Sequence, residues 1–230
     1  MKLLITGANR GIGLEMVKYS VEQGWSVFAC CRNPHNADTL FNVAKLSNGK
    51  VSVHIADMLE MSTIQALSYE LRNEPLDMLI NNAGIYGSDK NKFGSVDAAS
   101  WLQTFQVNTI APLKMVEAFT EQLLMGKRKL VACMSSKMGS MADNGSGNSY
   151  IYRSSKAALN AVVKSLSIDL KEQGIISVAL HPGWVKTDMG GSNAEITTRE
   201  CVEHLFNHLT HLTLDDSGRF IDIDGSDIPW

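Results

Sequence analysis

Short apolar runs recur along this chain and are separated by longer amphipathic stretches. The runs are Lys2–Thr6, Ser26–Cys31, Val51–Ile55, Met78–Asn81, Leu130–Met134 and residues 175–180. Most are apolar throughout, the pattern of strands in a parallel sheet covered on both faces. The stretches between them read as helices. Residues 11–23 follow the first run and 61–72 the third, while 101–125 and 152–173 are longer, with Gly126 and Gly174 as stops. Thr197 and Glu200 have the spacing of a capping box, and the helix they open carries Val202, Leu205, Phe206, Leu209 and Leu212 on one side. Repeated β–α alternation demands right-handed crossovers and an open parallel sheet. The expected fold is therefore α/β: one doubly wound domain over residues 1–230, with about seven parallel strands and helices on both faces. In such a sheet ligands bind beyond the carboxyl ends of the strands.

Composition narrows the functional classes. The 230 residues are 44% hydrophobic and 20% charged, as in a folded chain. The 21 basic and 24 acidic side chains leave no basic excess, which argues against a nucleic-acid partner. No apolar run approaches the roughly 20 residues needed to cross a bilayer. The start, Met1-Lys2-Leu3-Leu4-Ile5-Thr6-Gly7, turns polar too soon for a signal peptide. Cys30, Cys31, Cys133 and Cys201 form neither a C-x-x-C pair nor a dense framework, so reduced, buried thiols and a cytoplasmic location are expected. His204, His208 and His211 share a helical face but lack an H-E-x-x-H pattern; they are expected to be a polar flank, with no metal.

The chemistry-bearing motifs fall just after the strands. Gly7, Gly11 and Gly13 sit in Thr6-Gly7-Ala8-Asn9-Arg10-Gly11-Ile12-Gly13, between the first strand and the first helix. Glycines there allow a tight turn and close approach of backbone to a pyrophosphate at a helix N-terminus. The spacing is G-x-x-x-G-x-G, and a Gly-rich turn alone is equally compatible with an ordinary strand–helix connection. Strand two ends in Cys30-Cys31-Arg32-Asn33, with no carboxylate for a ribose 2′-hydroxyl. Arg10 and Arg32 could instead hold a 2′-phosphate, which favours NADP(H); the alternative is two surface arginines. Tyr152 and Lys156 are spaced i, i+4, which places phenol and ammonium on one helical face. A nearby ammonium favours the phenolate, whose reference pKa is about 10. Tyr150 has Ser154, not a cation, four residues on.

Together these motifs resemble the short-chain dehydrogenase/reductase family of the Tyr-x-x-x-Lys type, over nearly the whole chain and in the family's order. Asp57 and Met58 follow strand three, where the family contacts adenine. Asn81-Asn82-Ala83-Gly84 follows strand four and is similar to the family's Asn-Asn-Ala-Gly signature. Asn108, Ser136 in Ser135-Ser136-Lys137-Met138-Gly139, and Pro182-Gly183-Trp184-Val185-Lys186-Thr187 match further family segments. Met134–Gly139, Tyr152–Asn160 and the ending Asp224-Gly225-Ser226-Asp227-Ile228-Pro229-Trp230 resemble the C-factor/sniffer-like carbonyl reductase branch.

The resemblance implies a Rossmann domain, NADP(H) and a small-molecule carbonyl substrate. It implies catalytic roles for Asn108, Ser136, Tyr152 and Lys156: Tyr152 as proton donor, Ser136 as a hydrogen-bond donor to the carbonyl, Lys156 holding ribose and lowering the Tyr152 pKa, and Asn108 holding a water. Cofactor contacts are implied for Gly7, Asn9, Arg10, Gly11, Ile12, Gly13, Arg32, Asp57, Met58, Asn81, Ala83, Gly84, Tyr152, Lys156, Pro182, Gly183, Val185 and Thr187. It also implies a homodimer or homotetramer through the long helices. Two other readings stand beside the reductase: an NADP-sensing regulatory protein, and a 3-oxoacyl-carrier-protein reductase. The interval between Ser136 and Tyr152 is longer than the family's usual one. Its Gly-, Asn- and Ser-rich residues 141–149 predict a loop. Met138, Met141 and Trp184 are then expected at an apolar substrate mouth, the alternative being a solvent loop that absorbs an insertion.

Overall fold

The computed structural model describes all 230 residues. Seven parallel strands form one sheet in the order β3-β2-β1-β4-β5-β6-β7. They are β1 Lys2–Thr6, β2 Ser26–Cys31, β3 Val51–Ile55, β4 Met78–Asn81, β5 Leu130–Met134, β6 Ile176–Leu180 and β7 Phe220–Ile221. Six correspond to the apolar runs. The seventh is two residues long, too short for any periodicity to mark it, and exists because Phe220 and Ile221 pair with Ala179 and Leu180.

Side-chain alternation along each buried strand feeds two separate cores. Leu3, Ile5, Met78, Ile80, Leu130 and Ala132 point to one face. There they meet α1 (Gly11–Glu22), α2 (Asp38–Leu46) and α7 (Thr198–Leu209). Leu4, Leu79, Val131, Cys133 and Ala179 point to the other face. They meet α3 (Met61–Glu70), α5 (Ala111–Met125) and α6 (Tyr150–Asp169). The doubly wound architecture thus follows from strands that are apolar at every position.

The capping box at Thr197 forms: its hydroxyl accepts from Glu200 N at 3.2 Å, and the Glu200 carboxylate accepts from Thr197 N at 2.7 Å. The helix it opens buries Phe206 against Tyr19 of α1, their rings stacked at 5.2 Å. His208 on that helix and His211 just past its end donate to the carbonyls of Ile223 and Asn207. All four cysteines are free and buried. No helix is long and apolar enough to cross a membrane.

The stretch expected as one helix over 101–125 is three pieces: α4 (Ala98–Phe105), a π-helical turn over Gln106–Ile110, and α5. A π turn adds one residue to the i→i+4 ladder and re-aims its side chains. Here it turns Asn108 fully inward. The long helix expected from residue 152 begins at Tyr150, so its first turn carries Tyr152.

Asp77 ties the entrances of three central strands together. Its carboxylate accepts from Lys2 N at 2.8 Å, Lys127 N at 2.9 Å and Arg128 N at 3.3 Å. Burial works against the charged form, but these backbone donors outweigh it and hold the carboxyl below its ordinary range. A carboxylate pKa depressed by folding adds stability above the unfolded value, about 3.9, and loses it as pH falls through the lower folded value. Asp77→Ala is therefore expected to cost about 1–3 kcal/mol at neutral pH, because three N–H groups lose their acceptor. Urea unfolding checks this: the gap between parent and variant should close as the solution is taken well into the acid range.

Candidate active site

Strand order reverses on either side of β1, so a crevice opens between the carboxyl ends of β1 and β4. The glycine turn lies at this point. Gly7 has φ +65°, and a Cβ there would sit 2.9 Å from Ala83 Cα. At Gly13 a Cβ would fall 2.3 Å from the Gly7 carbonyl oxygen and 2.6 Å from Asn82 Nδ2. The turn and the β4 end are packed as closely as backbone allows.

Thr6 and Asn82 lock the two strand ends. The Thr6 hydroxyl accepts from Asn82 N and Ala83 N, both at 3.0 Å. The Asn82 amide donates to Thr6 O at 2.9 Å and Gly7 O at 3.2 Å. Helix α1 then starts with Arg10 as its N-cap, no side-chain cap and no acidic residue in its first turn. Its leading N–H groups are left as donors for an anion.

The crevice is a cleft of about 950 Å³. Gly7, Asn9, Arg10, Gly11 and Ile12 line its floor. Arg32, Asp57 and Met58 line the wall built from the ends of β2 and β3. Arg10 is ion-paired with Asp188, which faces it across the cleft. Arg32 is exposed and makes no ion pair, so it is the guanidinium available to a ligand. Asp57 is turned inward locally, its carboxylate accepting from Leu59 N at 3.0 Å.

At the other end the cleft reaches Ala83, Gly84, Tyr152, Lys156, Pro182 and Thr187. Tyr152 is buried, with only an edge reaching the cleft. Burial pushes its phenol up to about 12, with the Ser136 hydroxyl pulling in the opposite direction and Tyr86 adding to the rise. Lys156 is buried too, and burial pushes its amine down to about 8. Its Nζ donates to Met134 O at 2.7 Å and lies 5.7 Å from the centre of the Tyr152 ring. Burial is the largest influence on both groups.

Ser136 is an extended residue at the start of a tight turn, its hydroxyl accepting from Met138 N at 3.2 Å. Asn108 lies behind Lys156. Its side chain accepts from Ile85 N at 2.9 Å and donates to Ile85 O at 2.8 Å and to the Ser155 hydroxyl at 3.0 Å. A Cβ at Gly84 would come 3.3 Å from Asn108 Oδ1 and 3.5 Å from Lys156 Nζ. Glycine at this position therefore lets the main chain pass between the two.

Several expected residues stand back from the cleft. Asn81 is buried behind its wall, donating to Pro112 O at 3.2 Å, and Asn82 takes the cleft-facing position. Nothing in an Asn-Asn doublet tells which amide faces a ligand; where the strand ends decides it. Gly13 is in the packing under the turn. Val185 is buried in an isolated bridge to Ile196, and Gly183 packs near the Ile196 side chain. Met138 is half-buried, with its carbonyl bonded to Arg153. Met141 is 75% exposed and Trp184 50%, its indole donating to Gly190 O at 2.8 Å. None of these three lines the cleft. Thr6, Asn82 and Ser155 were not singled out by the sequence reading. Thr6 and Asn82 sit inside its quoted motifs, while Ser155 shows its part only once Asn108 turns inward.

Comparison with known proteins agrees with this geometry. The short chain dehydrogenase family matches residues 2–197. The C-signal protein of Myxococcus xanthus is 41% identical over 167 residues, 73% of this chain and all of that protein. Carbonyl reductase Sniffer of D. melanogaster superposes with a TM-score of 0.94 at 34% identity, covering 100% of this chain and 99% of its own. The NADPH-bound carbonyl reductase from chicken fatty liver superposes with a TM-score of 0.93 at 33% identity, covering 100% and 98%. The family's order of strand, glycine turn and helix runs from the first strand to the capping box of α7, and this chain belongs to the short chain dehydrogenase family of oxidoreductases.

Proposed function

We propose that the protein is an NADPH-dependent carbonyl reductase that converts an aldehyde, ketone or quinone to an alcohol, with Tyr152 as general acid. The observation that carries this reading is that the buried Tyr152 phenol, which reaches one end of a dinucleotide-sized cleft, meets the Ser136 hydroxyl just behind the cleft wall and has Lys156 beside its ring. The names of the superposed reductases support it.

The residues present fit the cofactor. Glycines leave the floor without side chains, the uncapped start of α1 offers donors to a pyrophosphate, and Arg32 stands free where a 2′-phosphate would lie. Ala83, Gly84, Pro182 and Thr187 would border the nicotinamide end. When bound, NADPH supplies the hydride for the carbonyl carbon. The Tyr152 hydroxyl gives its proton to the carbonyl oxygen as negative charge builds there, and Ser136 donates a hydrogen bond to the same oxygen. A phenol near 12 holds its proton until that charge appears. Lys156, near 8, is the weaker holder of the two, so the tyrosinate is reprotonated downhill at its expense. Asn108 keeps the space beside Lys156 polar through which a water could resupply the proton.

A second reading, a regulatory protein of the same fold, is favoured by one observation: the whole of the C-signal protein aligns within this chain. Turnover separates the two. A panel of aldehydes, ketones and quinones, followed through NADPH absorbance, gives multiple turnovers for a reductase and none for a sensor.

Three outcomes are expected. Tyr152→Phe keeps NADPH binding and loses about 10²–10⁴-fold in turnover, since it removes only the acid. Lys156→Ala loses binding and turnover together; a Tyr152→Phe protein at the parent rate would end the mechanism. For the cofactor, Arg32→Ala costs NADPH about 1.5–3 kcal/mol of binding and leaves NADH unchanged, as two titrations would show. For assembly, α4, the π turn after it and α6 leave Leu102, Ile110 and Ile168 exposed, and a two-fold homodimer is expected to cover them. Sedimentation at micromolar concentration checks this, and a monomer mass would refute it.

A further inference from the structure

Tyr86 lies outside every motif that marks the family, yet it is the aromatic neighbour of the proposed acid. Its ring stacks on that of Tyr152, with centroids 4.6 Å apart and planes 25° from parallel. Its hydroxyl is 3.0 Å from the Ser149 hydroxyl, at the residue that caps α6 in a left-handed conformation.

The main chain on both sides of Tyr86 is fixed. Before it, Ile85 has its N–H and carbonyl both bonded to the Asn108 amide. After it, Gly87 has φ +90°, and a Cβ there would fall 2.7 Å from Ile151 Cγ2 and 3.0 Å from Thr104 Oγ1. The chain is therefore pressed against α6 and α4 just past the ring. The Cα that carries the ring is thus held in place, and the Ser149 contact holds the far end of the ring.

We propose that Tyr86 is a positioning residue: its ring face holds the whole Tyr152 ring in place and so keeps the Tyr152 hydroxyl where it meets the carbonyl oxygen. Offset-stacked rings prefer one relative geometry, and a proton donor works only within hydrogen-bond reach of its acceptor. The α6 start alone does not fix the Tyr152 hydroxyl, because rotation about χ1 would swing the whole ring to another staggered position. Asn108 gains a second structural task in this arrangement, since it anchors Tyr86 through Ile85. The stack also covers one face of the Tyr152 ring.

This inference rests on Tyr152 being the acid, and the experiment keeps the two apart. Tyr86→Ala, Tyr86→Leu and Tyr86→Phe are compared with the parent by kcat, KM and NADPH dissociation constant, using a carbonyl that the parent reduces. Ala and Leu are expected to lose about tenfold in kcat, since even about 1 Å of misplacement can cost more than that. Their NADPH affinity should stay within about twofold, because Tyr86 does not line the cofactor cleft. Phe, which keeps the ring face and loses only the Ser149 contact, should restore most of the rate. If Ala does not fold, Leu, which keeps apolar bulk without a ring, decides the question. A Leu variant with the parent kcat overturns the proposal, and so does a Phe variant as slow as Leu, because the hydroxyl and not the stack would then be at work. Tyr152→Phe at the parent rate would instead remove the acid assignment itself, whatever the Tyr86 variants do.

Discussion

Four hydrogen bonds between the ends of β1 and β4 hold the molecule's cleft in shape. The Thr6 hydroxyl takes two backbone N–H groups, and the Asn82 amide gives two bonds back to the carbonyls of Thr6 and Gly7. They sit where the strand order reverses, just past the paired residues of β1 and β4. Each bond is worth only about 1 kcal/mol net, but leaving its buried members unpaired would cost more. The glycine turn rests directly on this lock. Gly13 has no room for a Cβ between the Gly7 carbonyl and Asn82, so the phosphate-facing turn and the Asn-Ala-Gly segment move as one unit.

From that unit the reactive end of the cleft is reached through a short chain of contacts. Gly84 lets the main chain pass beside Asn108 and Lys156, and Asn108 then grips Ile85 on both sides of its peptide. The π turn in the α4–α5 region makes this grip possible by turning Asn108 inward. On the facing side, Gly139 brings the turn after Ser136 against α6 at Lys156, where a Cβ would lie 2.8 Å from the Lys156 carbonyl carbon. Ser135 and Asn160 tie the same turn to α6 through a 2.6 Å bond. The polar groups are thus set by backbone packing, which is more rigid than a cluster of flexible side chains.

Burial gives the site its electrostatic character. It raises the Tyr152 phenol and lowers the Lys156 amine, and both shifts favour the uncharged form. Lys156 gives one of its N–H groups to the Met134 carbonyl while its Nζ stays 5.7 Å from the centre of the Tyr152 ring.

The sheet and its two helical layers were legible from the chain alone. Strands apolar at both parities have to be covered on both faces, and the glycine turn after β1 marks where a ligand approaches. The Thr197–Glu200 cap was also legible, because both of its partners lie within one helical turn. The fold decided what depended on distant residues meeting. Which asparagine of the Asn81-Asn82 pair faces the cleft hangs on where β4 stops, and the inward turn of Asn108 on a π turn that no periodicity announces. Arg10 and Arg32 read alike as sequence, yet one is engaged by Asp188, 178 positions away, and the other is free. Tyr86 carries no motif at all. Its contact with Tyr152 exists because the segment after β4 is pressed against the start of α6, and stacking and burial are properties of that neighbourhood.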